Sequence, residues 1–508
     1  MKVFAIKMLQ DISDFKEYIA MKNIKEAVEK RANRPIKVMQ FGEGNFLRAF
    51  PDYMIDIANE KGLFDGDIAV VKCVPFGNLD RFKKQDNLYT VILRGKDNGE
   101  VVNSARVVTS IQKAIGCYED YDEYIALAKL DSLRFIISNT TEAGIVLDTN
   151  DHLDGIPETY PGKLTQFLFE RFKAFDGAKD KGLVLLPVEL IDDNGKQLKK
   201  CVLALAEAWS LPAEFTAWVK NSCVFCSTLV DRIVTGYPFD EAEKLCEEMG
   251  YTDELLDVAE PFGLWVIESE KDISDEFPLD KAGMPVLFTD NQKPYKDRKV
   301  RILNGAHTST VLLGWLSGLE IVRECMEDGT IRGFMNMALS EIKPGVKLPS
   351  DEVQAFTDSV FERFENPFIR HKVLDISLNS VSKWRARVLS SFKDFYNANN
   401  AIPKALTFSF AALLAFYTSN TMEDGVLKAK RLDGTEYIIK DGEAELKFFL
   451  ENSNKPVAEY VELTIKNSDL WGEDLSQYKG FNEAVVKYLT EIRANAKVAA
   501  DKLLKGEI

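Results

Sequence analysis

The chain has 508 residues, with 64 Lys and Arg against 80 Asp and Glu, and a formal net charge of −16. That length exceeds one ordinary core, so two or three domains are expected. Its acidity argues against nucleic acid or an anionic membrane as partner. No window approaches the ~20 uninterrupted apolar residues of a membrane span. Residues 1–11 have too short an apolar core and too early an acid to read as a signal peptide. Seven cysteines are scattered along the chain, an odd number that suits a reducing cytoplasm.

In chain order, residues 14–32 carry apolar positions at helical spacing and read as an amphipathic leader helix. Pro35 to Phe41 reads as a strand, followed at once by Gly42-Glu43-Gly44 and a helical pattern through Met54, Ile55 and Ile57. Apolar runs at 67–74, 133–138 and 182–187 are further buried-strand candidates. Strands alternating with helices predict an α/β unit with a mainly parallel sheet. Beyond residue 285 helical periodicity takes over, at 309–327, 330–343, 351–365, 403–419 and 483–504. Asn366-Pro367 and Asp433-Gly434 punctuate these helices. The boundary is placed near Asp290, giving domains at 1–289 and 290–508.

Gly42-x-Gly44 between strand and helix is the setting a dinucleotide needs, because backbone amides and the positive helix end meet its pyrophosphate. Phe41, Gly42, Gly44, Asn45 and Phe46 are the candidate cofactor contacts. Leu47 stands where a third glycine is usual, and an ordinary tight turn is the competing reading. No acid closes the second strand to hold a ribose. Asp80 comes late and Arg81, Lys83 and Lys84 follow it, so residue chemistry leaves NAD and NADP open.

Lys299, Asn304 and His307 lie within nine residues of a chain that has three histidines, at 152, 307 and 371. In an α-helix Asn304 and His307 share a face, whereas Lys299 lies about 140° from Asn304 at ~100° per residue and must bend its stem back. A lysine near an amide and an imidazole can exchange a proton with a carbonyl or alcohol and hold its oxygen. A surface lysine beside a core histidine is the plainer alternative. Gly305 suggests that something packs close to the backbone there. Cys223 and Cys226 lack a second pair or a nearby histidine, so free thiols and no metal are expected.

Phe41-Gly-Glu-Gly-Asn-Phe-Leu-Arg-Ala49, Ser138-Asn-Thr-Thr-Glu-Ala-Gly144, Val230-Asp-Arg-Ile233 and Lys299-x4-Asn304-x2-His307 occur in that order. Together they resemble the mannitol dehydrogenase family, the long-chain polyol-specific dehydrogenases, from about residue 34 to the C-terminus. The resemblance implies an N-terminal Rossmann-type domain, a mostly α-helical C-terminal domain, NAD as cofactor and no metal. It also implies Lys299 as general acid in reduction and general base in oxidation, which requires its pKa to fall from ~10.4. Asn304 and His307 would polarise the carbonyl and bind substrate. Asp231 matches an active-site aspartate, with an ion pair to Arg232 or a helix cap as its other reading. Arg370 falls where mannitol enzymes place a substrate arginine. Thr140, Thr141 and Glu142 would line the nicotinamide or the substrate, or form a turn and helix cap.

One departure matters. The family's Asp-Asn pair reads Glu189-Leu190 here, so its oxyanion asparagine is missing. Asn304 alone, or Thr140 with it, would then hold the oxyanion. The likeness leans toward members that reduce keto-uronates, here D-tagaturonate to D-altronate. The basic residues Lys293, Lys296, Arg298, Lys299 and Arg301 suit such an anion. Fructuronate reduction and mannitol-type polyol oxidation are alternatives within the family, and a non-catalytic dinucleotide sensor is an alternative outside it. The oligomeric state is left open.

Overall fold

The computed structural model describes residues 21–28, 32–141 and 143–508. The leader helix expected over 14–32 falls largely outside them; of the described part, Ile24–Ala27 is helical. The chain divides into two compact units. The first runs to Leu93 and resumes at Asn103–Asp290; the second is Arg94–Val102 with Asn291–Ile508.

Six parallel strands organise the first unit: β1 Ile36–Phe41, β2 Asp67–Lys72, β3 Ile111–Gly116, β4 Phe135–Ser138, β5 Val184–Pro187 and β6 Val224–Phe225. Their order is β3-β2-β1-β4-β5-β6. Every residue of β2, β4 and β5 is buried, as a parallel sheet covered on both faces requires. The polar residues Gln112 and Lys113 hid β3 from the sequence reading, because an edge strand is half exposed. The strand order reverses between β1 and β4. That reversal opens a crevice at their carboxyl ends, where doubly wound sheets bind ligands.

Asn194 clasps the sheet to the next strand, β7 Ser227–Asp231. Its Nδ2 donates to the carbonyls of Pro187 at 3.0 Å, Glu189 at 3.0 Å and Thr228 at 3.2 Å. Its Oδ1 accepts from the amides of Gly195 and Thr228, both at 2.8 Å. Gly195 is required by close approach: a Cβ there would stand 2.1 Å from the carbonyl oxygen of Cys226.

The second unit is mainly helical around one helix, Lys404–Phe416, in which every residue from Ala405 onward is buried. A helix apolar on all faces belongs in an interior. Helices Gly305–Leu316 and Phe481–Ala494 pack against it. Three sequence expectations need correction here. The helix expected over 309–327 breaks at Gly318, whose φ of +93° ends the turn. The helix expected over 483–504 breaks at Asn495, whose side chain accepts from the Val498 amide and caps a new helix. Asp433-Gly434 does not separate helices; it turns a hairpin in a three-stranded antiparallel sheet made by Thr421–Glu423, Val426–Lys430 and Glu436–Ile439.

Gly195→Ala is expected to destabilise the first unit by about 1–3 kcal/mol, because rigid backbone stands where the methyl would go. A thermal melt indistinguishable from wild type would show that the clasp has slack.

Candidate active site

The crevice is built from the loops that follow β1 and β4. Gly42 has a φ of +114°, which only glycine adopts without strain, and a Cβ on it would press on Leu47 Cδ1 at 3.0 Å and on the Asn139 carbonyl at 3.3 Å. Gly44 differs: nothing lies within 4 Å of a Cβ placed there, so the space over it is open. A helix, α1, spans residues 45–60 and begins at Gly44. Its first-turn amides have no intrahelical acceptor. An open backbone at a helix start, at the point where strand order reverses, fits a dinucleotide pyrophosphate. Leu47, in place of the third glycine, is buried under the loop.

The five expected cofactor contacts separate. Gly44 and Asn45 are exposed at the turn and Gly42 is half-buried. The ring of Phe41 is fully buried against Tyr124 and Tyr160, so only its backbone can face a ligand. Phe46 packs its ring 5.0 Å from that of Phe50. β2 closes with Lys72, not an acid, and Lys72 Nζ is held by Glu119 at 2.8 Å and the Val74 carbonyl at 2.8 Å. Asp80 is exposed on the short helix Asp80–Lys84.

After β4 the chain makes a strained turn. Thr141 has a φ of +76°, an outlier for a β-branched residue. A Cβ on Gly144 would collide with the Thr140 hydroxyl at 2.0 Å. Glu189, after β5, accepts from Thr140 N at 3.0 Å, Thr140 Oγ1 at 3.0 Å and Ser138 Oγ at 3.2 Å. Burial pushes its carboxyl up to about 7 against those hydrogen bonds. Both Thr140 donors are therefore engaged, which corrects the expectation that Thr140 helps hold an oxyanion. Leu190 is 63% exposed. Glu142 lies outside the described residues. Asp231 is buried at the end of β7, on a strand and not at a helix cap. Arg232 donates to the carbonyls of Ala49, Pro261 and Phe262 at 2.7, 3.1 and 3.0 Å.

In the second unit Lys299, Asn304 and His307 lie on one continuous helix, α2, spanning residues 293–316. It is not a plain α-helix: Lys299–Asn304 is a π segment. An i→i+5 turn sets the fifth residue nearly above the first, as i+4 does in an α-helix. The 140° separation expected between Lys299 and Asn304 is thereby narrowed to about that of an i,i+4 pair in an α-helix. Gly305 needs no special room, since the nearest atom to a Cβ there, the Arg387 carbonyl oxygen, is at an ordinary 3.4 Å.

The polar ends of Asn304 and His307 are uncommitted. No hydrogen bond holds the Asn304 carboxamide among the described residues, and His307 Nε2 is buried without a partner. The imidazole stacks on Phe364 at 4.0 Å and meets His371 edge-on at 5.4 Å. Burial holds His307 well below its ordinary pKa, and the charges of His371, Arg363, Arg387 and Lys383 depress it further, so the ring is neutral. Arg363, Lys383 and Arg387 were missed from sequence. Lys383 and Arg387 come from helix α3, Ser380–Arg387, and their i,i+4 spacing was the available signal. The anticipated cations are placed elsewhere. Arg298 is sandwiched by Tyr295 and Phe356 and pairs with Glu352 at 3.8 Å, and Arg301 pairs with Asp394 at 2.5 Å. Arg370 is exposed, and no hydrogen bond or ion pair holds it among the described residues, although its neighbour His371 touches His307.

Residues 36–281 match the family model of the mannitol dehydrogenase Rossmann domain, and residues 291–493 that of the mannitol dehydrogenase C-terminal domain. The chain is 43% identical over 470 residues to a protein of Escherichia coli K12 named altronate oxidoreductase, covering 91% of this chain and 95% of that one. A protein of the same name from Yersinia enterocolitica is 42% identical over 469 residues, with the same coverage. Among solved structures, a substrate-free D-sorbitol dehydrogenase superposes with a TM-score of 0.76 at 22% identity, over 92% of this chain and 95% of that one. A Pseudomonas fluorescens mannitol 2-dehydrogenase, in ternary complex with NAD and D-mannitol, gives 0.64 at 22% identity, over 93% and 95%.

Glu189 generates a pH prediction. Its folded-state pKa of about 7 stands above the ordinary glutamate value of 4.5, so between those limits the native state holds a proton that the unfolded chain has released. Its contribution to stability is thus present below pH ~4.5 and lost as pH rises through 7. Glu189→Gln carries no such charge, so its melting temperature should fall less than that of wild type between pH 5 and 8. The difference is worth on the order of 3 kcal/mol at most. Parallel curves for the two proteins would refute the assignment.

Proposed function

The chain belongs to the mannitol dehydrogenase family, and on that premise we propose that it is an NAD-dependent oxidoreductase interconverting D-tagaturonate and D-altronate. Support for the substrate comes from relatives that are named altronate oxidoreductases and match most of the chain. It comes also from the cations gathered around His307, which suit a sugar acid better than a neutral polyol. The observation that carries the chemistry is the π turn that stacks Lys299 over Asn304 while the Asn304 amide and His307 Nε2 remain uncommitted.

When bound, NAD(H) supplies or accepts the hydride at the carbinol carbon. Gly42, Gly44 and Asn45, with the first turn of α1, would hold its pyrophosphate. In reduction the Lys299 ammonium gives one proton to the carbonyl oxygen as the new C–H bond forms, and is left as the neutral amine. In oxidation that amine takes the hydroxyl proton back. Asn304 donates an N–H to the same oxygen and stabilises charge as it develops there. This makes it the oxyanion donor in a chain that has Leu190 where the family keeps an asparagine. The neutral ring of His307 can hydrogen-bond a substrate hydroxyl without adding charge. Asp231 and Arg370 belong to the same reading as substrate-facing groups, and no step requires a metal.

The test is NADH oxidation followed at the nicotinamide band with D-tagaturonate, D-fructuronate and D-fructose. Tagaturonate should give the highest kcat/KM, and equal turnover of fructose would remove the uronate reading. Lys299→Ala should lower kcat by ~10²–10⁴-fold while NADH still binds. Lys299→Arg should fail as well, because a guanidinium does not release its proton. Turnover within a few fold of wild type in either variant would take the proton-transfer role away from Lys299.

A further inference from the structure

We propose that Arg387 is the residue that makes the site select a carboxylate-bearing substrate, its guanidinium receiving the carboxylate beside His307. This deepens the keto-uronate reading above and rests on it.

The placement is set by packing within the second unit. Helix α3 lies against α2, with the Arg387 carbonyl oxygen 3.4 Å from the position of a Cβ on Gly305. From there Arg387 Nη1 reaches Thr308 Oγ1 at 3.5 Å, and Thr308 is the residue after His307. Lys383 sits one turn earlier on the same face of α3. The guanidinium thus arrives at the end of the Lys299–Asn304–His307 row from a neighbouring helix.

The second observation is the missing counter-ion. Arg298, Arg301, Arg323, Arg332 and Arg431 of this unit have carboxylate partners; Arg385 and Arg493, which show none among the described residues, donate to backbone carbonyls, and Arg370, which shows none either, is exposed. Arg387 has none among the described residues; its one side-chain contact is the long bond to Thr308. The groups that act most strongly on His307 are His371, Arg363, Arg387 and Lys383, and the acid Asp375 acts in turn on His371. Lys383 Nζ donates to the Ile376 carbonyl at 2.9 Å. The acid acting on Lys383 is Asp441, whose carboxylate is engaged by the Val381 amide and the Tyr417 hydroxyl. In a chain with an excess of acids, a half-buried guanidinium without one is costly unless a ligand completes it.

The ligand class follows from the donor geometry. A guanidinium presents parallel N–H pairs that match a carboxylate bidentately, and among the described residues four of its five donors have no acceptor. A neutral ketose offers a hydroxymethyl group at that position, which leaves the cation unpaired.

The test uses the full chain with NADH. The substrates are D-tagaturonate and D-tagatose, the same ketose with CH2OH in place of the carboxylate. Wild type should prefer the uronate by about 30-fold or more in kcat/KM. Arg387→Met should collapse that preference by about 30- to 1,000-fold through the uronate alone, chiefly in KM, while the tagatose kcat/KM and the NADH Kd stay put. Added methylguanidine should restore part of the uronate turnover. Arg387→Gln removes the charge and keeps a donor for Thr308, so it decides the matter in the same way if the Met variant does not fold. If wild type discriminates but the folded variant keeps its preference within about threefold, Arg387 is not the carboxylate residue although the uronate reading stands. If wild type does not discriminate, the uronate reading fails and this inference goes with it.

Discussion

The site in the second unit depends on one backbone irregularity. A regular helix would carry Lys299 and Asn304 on different faces, and the lysine stem would have to curl around the helix to join the row. Placing one extra residue in the turn between them brings both side chains onto one line, and the helix then resumes as α from Gly305 to Leu316 so that His307 follows three residues on. A π turn has poorer hydrogen bonds than an α turn and persists only where packing holds it. Ile302 and Leu303, on its inner side, are buried, and the helix runs on into the apolar interior against Lys404–Phe416. The apolar face anchors the helix so that the polar row can be out of register with it.

The same device recurs in the first unit, with a local cause. α1 leaves the glycine loop, and its Arg48–Asp52 segment is also π, with Pro51 inside it. Proline has no N–H to continue the ladder, so the turn must widen or break. The widening puts Arg48 and Asp52 indoors. Arg48 is paired with Asp257 at 3.8 Å and lies over the Tyr89 ring, while Tyr89 donates to the Arg48 carbonyl at 2.9 Å. Two buried carboxylates share this one guanidinium, and a single cation cannot offset the desolvation of both. Burial accordingly pushes Asp52 up to about 8 and Asp257 up to about 7.

What could be read from sequence divides along physical lines. Gly42 was legible because a backbone with φ of +114° admits little else. The strands β2, β4 and β5 were legible because burial on both faces leaves an apolar run, and β1 because its largely apolar stretch ends at the glycine loop. The edge strand β3 was not, and neither was the sheet over 421–439, whose alternation of buried and exposed residues is short and interrupted by turns. The row at 299–307 was legible as residue types but not as geometry, since a helical wheel at fixed pitch cannot show a π turn. Nothing along the sequence marked the clasp made by Asn194, whose carboxamide joins two strands. The cations show the limit most clearly. Charges adjacent in sequence, Arg298 and Arg301, face their own acids, whereas Lys383 and Arg387 reach His307 only because a distant helix packs there.

That arrangement gives the second unit a consistent electrostatic logic. Burial and the like charges of Arg363, Arg387 and Lys383 act in the same direction on His307, disfavouring its protonated form. Its neutrality has a consequence for recognition. A protonated imidazole would pair with any acid that reached it and would compete with the arginines for a bound carboxylate. A neutral one leaves the positive field to the guanidinium groups and keeps an uncommitted nitrogen for a hydroxyl. A sugar acid has both functions on one chain: a carboxylate at one end and hydroxyls beside a carbonyl at the other. On the proposed reading, a row running from an ammonium through an amide and a neutral imidazole to a guanidinium matches that order of groups, and the order is set by how α2 and α3 pack rather than by any charged cluster visible along the sequence.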